Sequence, residues 1–312
     1  MSAELSALKG HDFLSSADFN GAQTQALLTL AADIKAGRRK PRLDGKVLGL
    51  IFSKASTRTR VSFTVAMARL GGQTIDLNPS VSQVGRGEPI KDTARVLSRY
   101  LNAVAIRTFA QSDLQAYADA ASIPIINALT DLEHPCQALA DYLTMQEAFG
   151  SLEGLTMTYV GDGNNVAHSL LIAGALLGVN VRIGCPAGFY PLEKVVAQAK
   201  AIAAGRSEIV ISEDPAEAVR GAHAVYTDVW ASMGQEEEQS TRVQAFRGFC
   251  VDESLMRHAD AKAIVLHCLP AHRGEEISAE VMESSASRIF DQAENRLHAQ
   301  QALLATLLGA EG

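Results

Sequence analysis

The sequence predicts an α/β protein made of two doubly wound domains, each with a parallel sheet. Three observations predict it. Short apolar runs alternate with amphipathic stretches along nearly the whole chain. The alternation comes in two series that part near Gly150. Polar and charged residues stand at the ends of the apolar runs, where parallel sheets carry their ligands. A chain of 312 residues has the length of about two domains of ~150 residues each.

The first element is a helix over Asp18–Ala36. Leu27, Leu30, Ala31 and Ile34 recur on one face of it, and Gly37 and the Pro41 region end it. The first series reads as strands Val47–Phe52, Thr74–Leu77, Val104–Arg107 and Pro124–Ile126. Helices Thr57–Leu70, Ile90–Asn102, Ser112–Ala121 and Pro135–Phe149 follow them in turn. After Gly150 come strands Thr156–Val160, Val179–Ile183, Ile209–Ile211, Ala224–Thr227 and Ala263–His267. The helices among these are Asn165–Leu177, Pro191–Ala204 and Pro215–Val219, and a last helix spans Ala293–Leu308. The stretches Asn78–Pro89 and Asp228–Ser240 carry neither period, and long loops in compact domains tend to be functional.

Composition excludes several classes. Lys and Arg total 28 against 35 Asp and Glu, a net charge of −7. With a pI near 5.6 the molecule is a poor partner for nucleic acid or an anionic membrane. Hydrophobic residues at 47% and charged residues at 20% are those of a folded domain rather than a disordered chain. No apolar run approaches the roughly 18 residues of a membrane span, and the start Met1-Ser2-Ala3-Glu4-Leu5 leads to no expected export signal. Cys136, Cys185, Cys250 and Cys268 are scattered, which argues against a disulfide framework or a Cys-x-x-Cys site and fits a reducing cytoplasm.

The strongest local pattern is Phe52-Ser53-Lys54-Ala55-Ser56-Thr57-Arg58-Thr59-Arg60, between a buried strand and a helix whose Phe63, Met67 and Leu70 face inward. Free N–H groups at a helix start, with hydroxyls and guanidiniums beside them, make an anion site. A capped helix with solvated arginines is the plain alternative. It is not a P-loop, since the required glycines and lysine are missing. Arg107 ends a strand, and His134-Pro135-Cys136-Gln137 opens a helix with Pro135 suited to its first position. In the second half, Gly161-Asp162-Gly163-Asn164-Asn165-Val166 starts like a dinucleotide fingerprint. Val166 replaces its third glycine, and no ribose-binding acid follows the next strand. The amides of Asn164 and Asn165 suit a carboxylate or amide ligand better. Asp228 and His267-Cys268-Leu269-Pro270 stand at two further strand ends. His267 and Cys268 are adjacent and lack a spaced partner set, so zinc is not expected. No Gly-x-Ser-x-Gly elbow supports a serine hydrolase. A phosphate-sized anion site in one half and amides, an acid and a thiol in the other predict transfer from an anionic activated donor to an amine.

These motifs, in this order, resemble the aspartate/ornithine carbamoyltransferase family over nearly the whole chain. The run Phe52–Arg60, Arg107 and His134-Pro135-Cys136-Gln137 look like its carbamoyl-phosphate half. Gln83-Val84-Gly85-Arg86-Gly87-Glu88, Asp228-Val229-Trp230-Ala231-Ser232-Met233-Gly234 and His267-Cys268-Leu269-Pro270 are similar to its ornithine branch. Ser53 departs from the pattern, where relatives often carry an acid.

The resemblance implies a carbamoyl-phosphate domain over 1–147, joined by the C-terminal helix 293–309, and an ornithine domain over 148–292, with the active site in the cleft between them. It implies transfer of the carbamoyl group from carbamoyl phosphate to the δ-amine of L-ornithine, giving L-citrulline and phosphate. Arginine biosynthesis is the expected direction, in the cytoplasm, by a homotrimer or multiple of trimers, with no metal or organic cofactor. Carried over residue by residue, Ser56, Thr57, Arg58, Thr59 and Gln83 hold the phosphate. Arg107, His134 and Gln137, with Thr59, point at the carbamoyl oxygen, with Pro135, Cys136 and Arg296 also at the donor. Asn165, Asp228, Ser232 and Met233 hold ornithine, the carbonyls of Cys268 and Leu269 steer its δ-amine, and Asp228 or Cys268 assists its deprotonation. Aspartate, N-acetylornithine and putrescine are the rival acceptors, and a nicotinamide oxidoreductase or a phosphate-metabolite sensor are the rival classes.

Overall fold

The computed structural model describes residues 2–78, 87–231 and 239–310. The chain divides into two compact units, Met1–Leu143 with Asn295–Gly312, and Thr144–Glu294. The helices Pro135–Phe149 and Ile289–Leu307 each run from one unit into the other.

The first unit carries β1 (Val47–Phe52), β2 (Gln73–Asp76), β3 (Ala103–Arg107) and β4 (Ile125–Leu129), all parallel, in the order β2-β1-β3-β4. β1 is Val-Leu-Gly-Leu-Ile-Phe, a continuous apolar run, because a central parallel strand is covered on both faces. On one face Ile51, Val104, Ile106 and Ile125 pack with Leu101, Leu114 and Tyr117. The chain's start pairs with the β4 side of the sheet. Phe13 N–H donates to Ile125 O (2.9 Å) and Phe13 O accepts from Asn127 N–H (2.8 Å). The order reverses between β1 and β3, and such a switch point opens a crevice beyond the strands' carboxyl ends.

The second unit carries β5 (Thr156–Val160), β6 (Asn180–Gly184), β7 (Ile209–Ser212), β8 (Ala224–Thr227) and β9 (Ile264–His267). Its order is β7-β6-β5-β8-β9, again all parallel. Here the switch point lies between β5 and β8. Trp230, just past β8, stacks on Phe246 (centroids 5.6 Å apart) in a core that includes Val160, Val225, Val265 and Ile289.

Several elements differ from their expected extents, two of them helices with a tertiary reason. The helix Ile90–Leu97 stops short of Asn102, because Asn102 belongs to the sheet: its N–H donates to Val47 O and its Oδ1 accepts from Val47 N–H, both at 2.9 Å. The last helix begins at Ile289 rather than Ala293, since Ile289 is fully buried and Gln292 Oε1 accepts the His267 N–H at 2.8 Å.

Candidate active site

In the first unit the chemistry gathers at the carboxyl ends of β1 and β3. Ser53 N–H donates to Arg107 O (2.8 Å), joining the two strand ends. The helix Thr57–Arg69 starts here with Ser56 in the N-cap position, but the Ser56 side chain makes no capping bond. The first turn's amides therefore lack the usual side-chain acceptor, which is the arrangement of an anion site. Thr57 and Arg58 are exposed and Thr59 is buried. Arg60 pairs with Asp76 and lies over the Phe52 ring (4.9 Å), so it serves the sheet edge. Lys54 Nζ sits 3.8 Å from the Phe109 centroid.

Behind this turn lies a buried cationic group. Arg296, in the last helix, donates from Nη2 to Thr59 Oγ1 and is itself buried. Arg107 ends β3 and is buried, as is His134, the residue before the helix Pro135–Phe149. Burial, with the Arg296 and Arg107 guanidiniums beside it, holds the His134 imidazole far below its ordinary pKa of 6.5. It is thus a neutral ring between two cations, a hydrogen-bond donor that needs no proton exchange with solvent. Gln137 Nε2 donates to Asp141 Oδ1 (2.8 Å), and its own Oε1 has no hydrogen-bond partner among the described residues. That oxygen is available to accept. Cys136 donates Sγ–H to Asn127 O (3.3 Å), and burial pushes its thiol up to about 12. It shapes the helix start and is no nucleophile.

The state of His134 has a measurable consequence. Unfolding returns its pKa to about 6.5. Above that pH neither state holds the proton. Below it the unfolded chain takes one up and the folded protein does not. Stability contributed by this group is therefore lost as pH falls through 6.5, by up to about 1.4 kcal/mol per pH unit. Denaturant titrations between about pH 7 and 5 should give a shallower slope for His134→Gln than for the parent. An unchanged slope would mean that His134 titrates normally in the fold.

In the second unit the strand ends of β5, β8 and β9 converge on Asp228. Its Oδ1 accepts from Val229 N–H (2.8 Å) and Cys268 Sγ–H (2.9 Å), and its Oδ2 from Asn164 Nδ2 (3.1 Å). Asn164 caps the helix Asn165–Leu177 through Oδ1, to Val166 N (2.9 Å) and Ala167 N (3.2 Å). One amide thus starts the helix and holds the acid, while Asn165 is the first helical residue beside it. The resemblance named Asn165 and passed over Asn164; the cap position was the legible signal. Cys268 and Leu269 follow β9, with Leu269 at φ +61° and a cis bond to Pro270. Gln83, Ser232 and Met233 lie outside the described residues.

Arg242 and Glu276 were not singled out from the sequence. Arg242 Nη1 donates to Asp162 Oδ2 (2.8 Å) and Trp230 O (3.0 Å), tying the turn after β5 to the chain after β8. Only the fold distinguishes it from a surface arginine. His267 and Glu276 are completely buried and bonded to each other (3.0 Å). Asp228, His267 and Cys268 lie close enough to share a cation. Both His267 ring nitrogens, however, are engaged, by Glu276 and by Leu269 N–H, so a metal would have to displace existing bonds. The glycine turn after β5 is equally committed: a Cβ on Gly163 would lie 2.1 Å from Pro191 N, and Gly163 N–H donates to Phe189 O (2.8 Å). Backbone fills the space where a dinucleotide's pyrophosphate would rest.

Two family descriptions match the chain. Residues 11–147 match the family described as aspartate/ornithine carbamoyltransferase, carbamoyl-P binding domain, and residues 153–307 its Asp/Orn binding domain. The chain belongs to the aspartate/ornithine carbamoyltransferase family. Within that family it is 70% identical to an ornithine carbamoyltransferase of Parasynechococcus marenigrum over 99% of this chain and 97% of the relative. It is 62% identical to one of Nostoc sp., over 98% of this chain and all of the relative. The solved ornithine carbamoyltransferase of Pyrococcus furiosus superposes with a TM-score of 0.94 at 48% identity, covering 98% of this chain and 99% of that one. That of Gloeobacter violaceus gives 0.88 at 56% identity, covering 96% and 98%.

Proposed function

We propose that the protein transfers the carbamoyl group of carbamoyl phosphate to the δ-amine of L-ornithine, releasing L-citrulline and phosphate. The observation that carries this is the first unit's pocket, a helix start whose buried Thr59 is bonded to Arg296, with neutral His134 beside Arg296 and Arg107. The anion-binding turn takes the phosphate through Ser56, Thr57, Arg58 and Thr59, with Gln83 assigned to the same group. Arg107, His134 and Arg296 stabilise the charge that grows on the carbamoyl oxygen. Gln137 Oε1 accepts from the carbamoyl amino group, and Pro135 and Cys136 set the helix that presents it.

The second unit is the acceptor's. Asp228 takes the α-ammonium, with Asn165, Ser232 and Met233 on the same substrate, and the carbonyls of Cys268 and Leu269 steer the δ-amine. An alkylammonium of pKa about 10.4 must lose a proton before it attacks, and removal from water favours that loss. The neutral amine forms a C–N bond to the carbamoyl carbon, the bond from that carbon to the bridging phosphate oxygen breaks, phosphate leaves with the bonding pair, and the proton shed by the new C–N nitrogen goes to the departing phosphate. No covalent intermediate with the protein is needed, so positioning and charge stabilisation supply the rate.

The assigned domains follow: donor residues in 1–147 with the C-terminal helix, acceptor residues in 148–292. We also assign a homotrimer. The four free thiols suit a reducing compartment, and we assign the cytoplasm and arginine biosynthesis. No helix among the described residues is long and apolar enough to cross a membrane.

A colorimetric ureido assay with ornithine, aspartate, N-acetylornithine and putrescine tests the reaction. Product is expected from ornithine with carbamoyl phosphate. Preference for another acceptor, or binding without turnover, would overturn the assignment.

A further inference from the structure

We infer that His267 and Glu276 form a positioning pair that sets the Cys268–Leu269 carbonyls for the amine acceptor, an inference that rests on the acceptor reading of that turn. β9 ends at His267, and two residues later Leu269 adopts φ +61°. A branched side chain in the left-handed region persists only where its surroundings over-determine it. The determinant here is a hydrogen bond from Leu269 N–H to His267 Nδ1 at 2.8 Å. A backbone amide can only donate, so Nδ1 carries the lone pair and the ring proton sits on Nε2. Nε2–H in turn donates to Glu276 Oε1 at 3.0 Å. The same oxygen accepts His272 N–H at 2.5 Å.

The pair therefore grips the turn at two points, Leu269 before Pro270 and His272 after it. Both side chains are wholly buried, and both backbones are anchored elsewhere. His267 N–H donates to Gln292 Oε1 (2.8 Å), and Glu276 O accepts Val251 N–H (2.8 Å). The clamp is thus held by the core rather than by the turn it holds. Residues that support a binding turn from behind fix where its carbonyls point. His267 has a positioning role in this arrangement, because both its ring nitrogens are engaged in hydrogen bonds.

Side-chain geometry separates this role from proton transfer and from mere bulk. In His267→Asn the amide Oδ1 takes the place of Nδ1 and can accept Leu269 N–H. In His267→Gln the amide lies one bond further out and reaches toward Glu276 instead. Glu276→Gln keeps an oxygen for both N–H donors and removes the ionisable carboxyl. In steady-state assays of the full chain, His267→Gln is expected to raise the ornithine KM about tenfold or more, with the carbamoyl phosphate KM within about twofold. His267→Asn should stay within about threefold of the parent, and Glu276→Gln should leave the pH profile of kcat unmoved. Equal impairment of the two His267 variants, or a parallel rise in both KM values, overturns the proposal. So does a Glu276→Gln loss of kcat beyond about a hundredfold, or a moved acid limb, which would assign the pair to proton transfer. If His267→Gln does not fold, His267→Asn decides alone, and an ornithine KM raised about tenfold overturns the proposal. The unaltered protein is assayed first. Failure to make citrulline there overturns the acceptor reading, and the pair's role with it, before any variant is compared.

Discussion

Arg58→Ala is expected to lower kcat/KM for carbamoyl phosphate by roughly a thousandfold, with stability within about 0.5 kcal/mol of the parent. The two expectations have separate grounds. Arg58 is exposed on the first turn of the helix Thr57–Arg69, so its loss opens no cavity. Its guanidinium belongs to the turn assigned to the phosphate, where planar bidentate donors are strongest. The phosphate is also the leaving group, so its charge rises as the C–O bond breaks and the lost contact weighs most in the transition state. Arg58→Lys should fall between the two, keeping the charge without the fork. Steady-state kinetics with a melting curve on each variant checks all three. Near-normal turnover in Arg58→Ala would remove the phosphate from this turn.

Asp228→Asn is expected to weaken ornithine by about a hundredfold, some 3 kcal/mol, with carbamoyl phosphate affinity unchanged. Asp228 is nearly buried and accepts on both oxygens: Val229 N–H and Cys268 Sγ–H on one, Asn164 Nδ2 on the other. An asparagine must turn an NH2 toward one of these donors. Asn164 cannot rotate to accept it without giving up the cap of the helix Asn165–Leu177. The variant thus loses the charge assigned to the α-ammonium and also meets a donor facing a donor. Separate titrations of the two substrates measure the split. Equal weakening of both would mean that Asp228 does not belong to the acceptor's half.

Much of the fold was legible because its cause is local. β1, β5 and β8 have the extents their apolar runs predict. The helices Pro135–Phe149 and Asn165–Leu177 start where a first-turn proline and a capping asparagine say they should. Elements of four residues, such as Glu253–Met256 and Ala279–Met282, are too short to repeat any period and were not read. β4 was read short because Asn127 interrupts its apolar run. It continues to Leu129, since Asn127 Nδ2 donates to Leu14 O (2.8 Å) from the chain's start. A buried polar residue is more acceptable in a strand once a distant segment takes up its donor.

The site divides the same way. Strand ends and helix starts marked Arg58, Arg107, His134, Asp228 and Cys268, because a parallel sheet exposes its chemistry there and the residue types carry their own. Arg242 and Glu276 carried no such mark.

Periodicity, caps and residue type therefore determined the two parallel sheets and the strand-end and helix-start positions that we assign to an anion and an amine. The tertiary structure alone decided how those positions act: that Arg296 reaches Thr59 across 237 positions, that His134 stays neutral, and that a buried histidine and glutamate hold Leu269. Local patterns arise from neighbours along the chain. A hydrogen bond between distant residues, or a proton expelled by burial, exists only once folding has brought the groups together and excluded water.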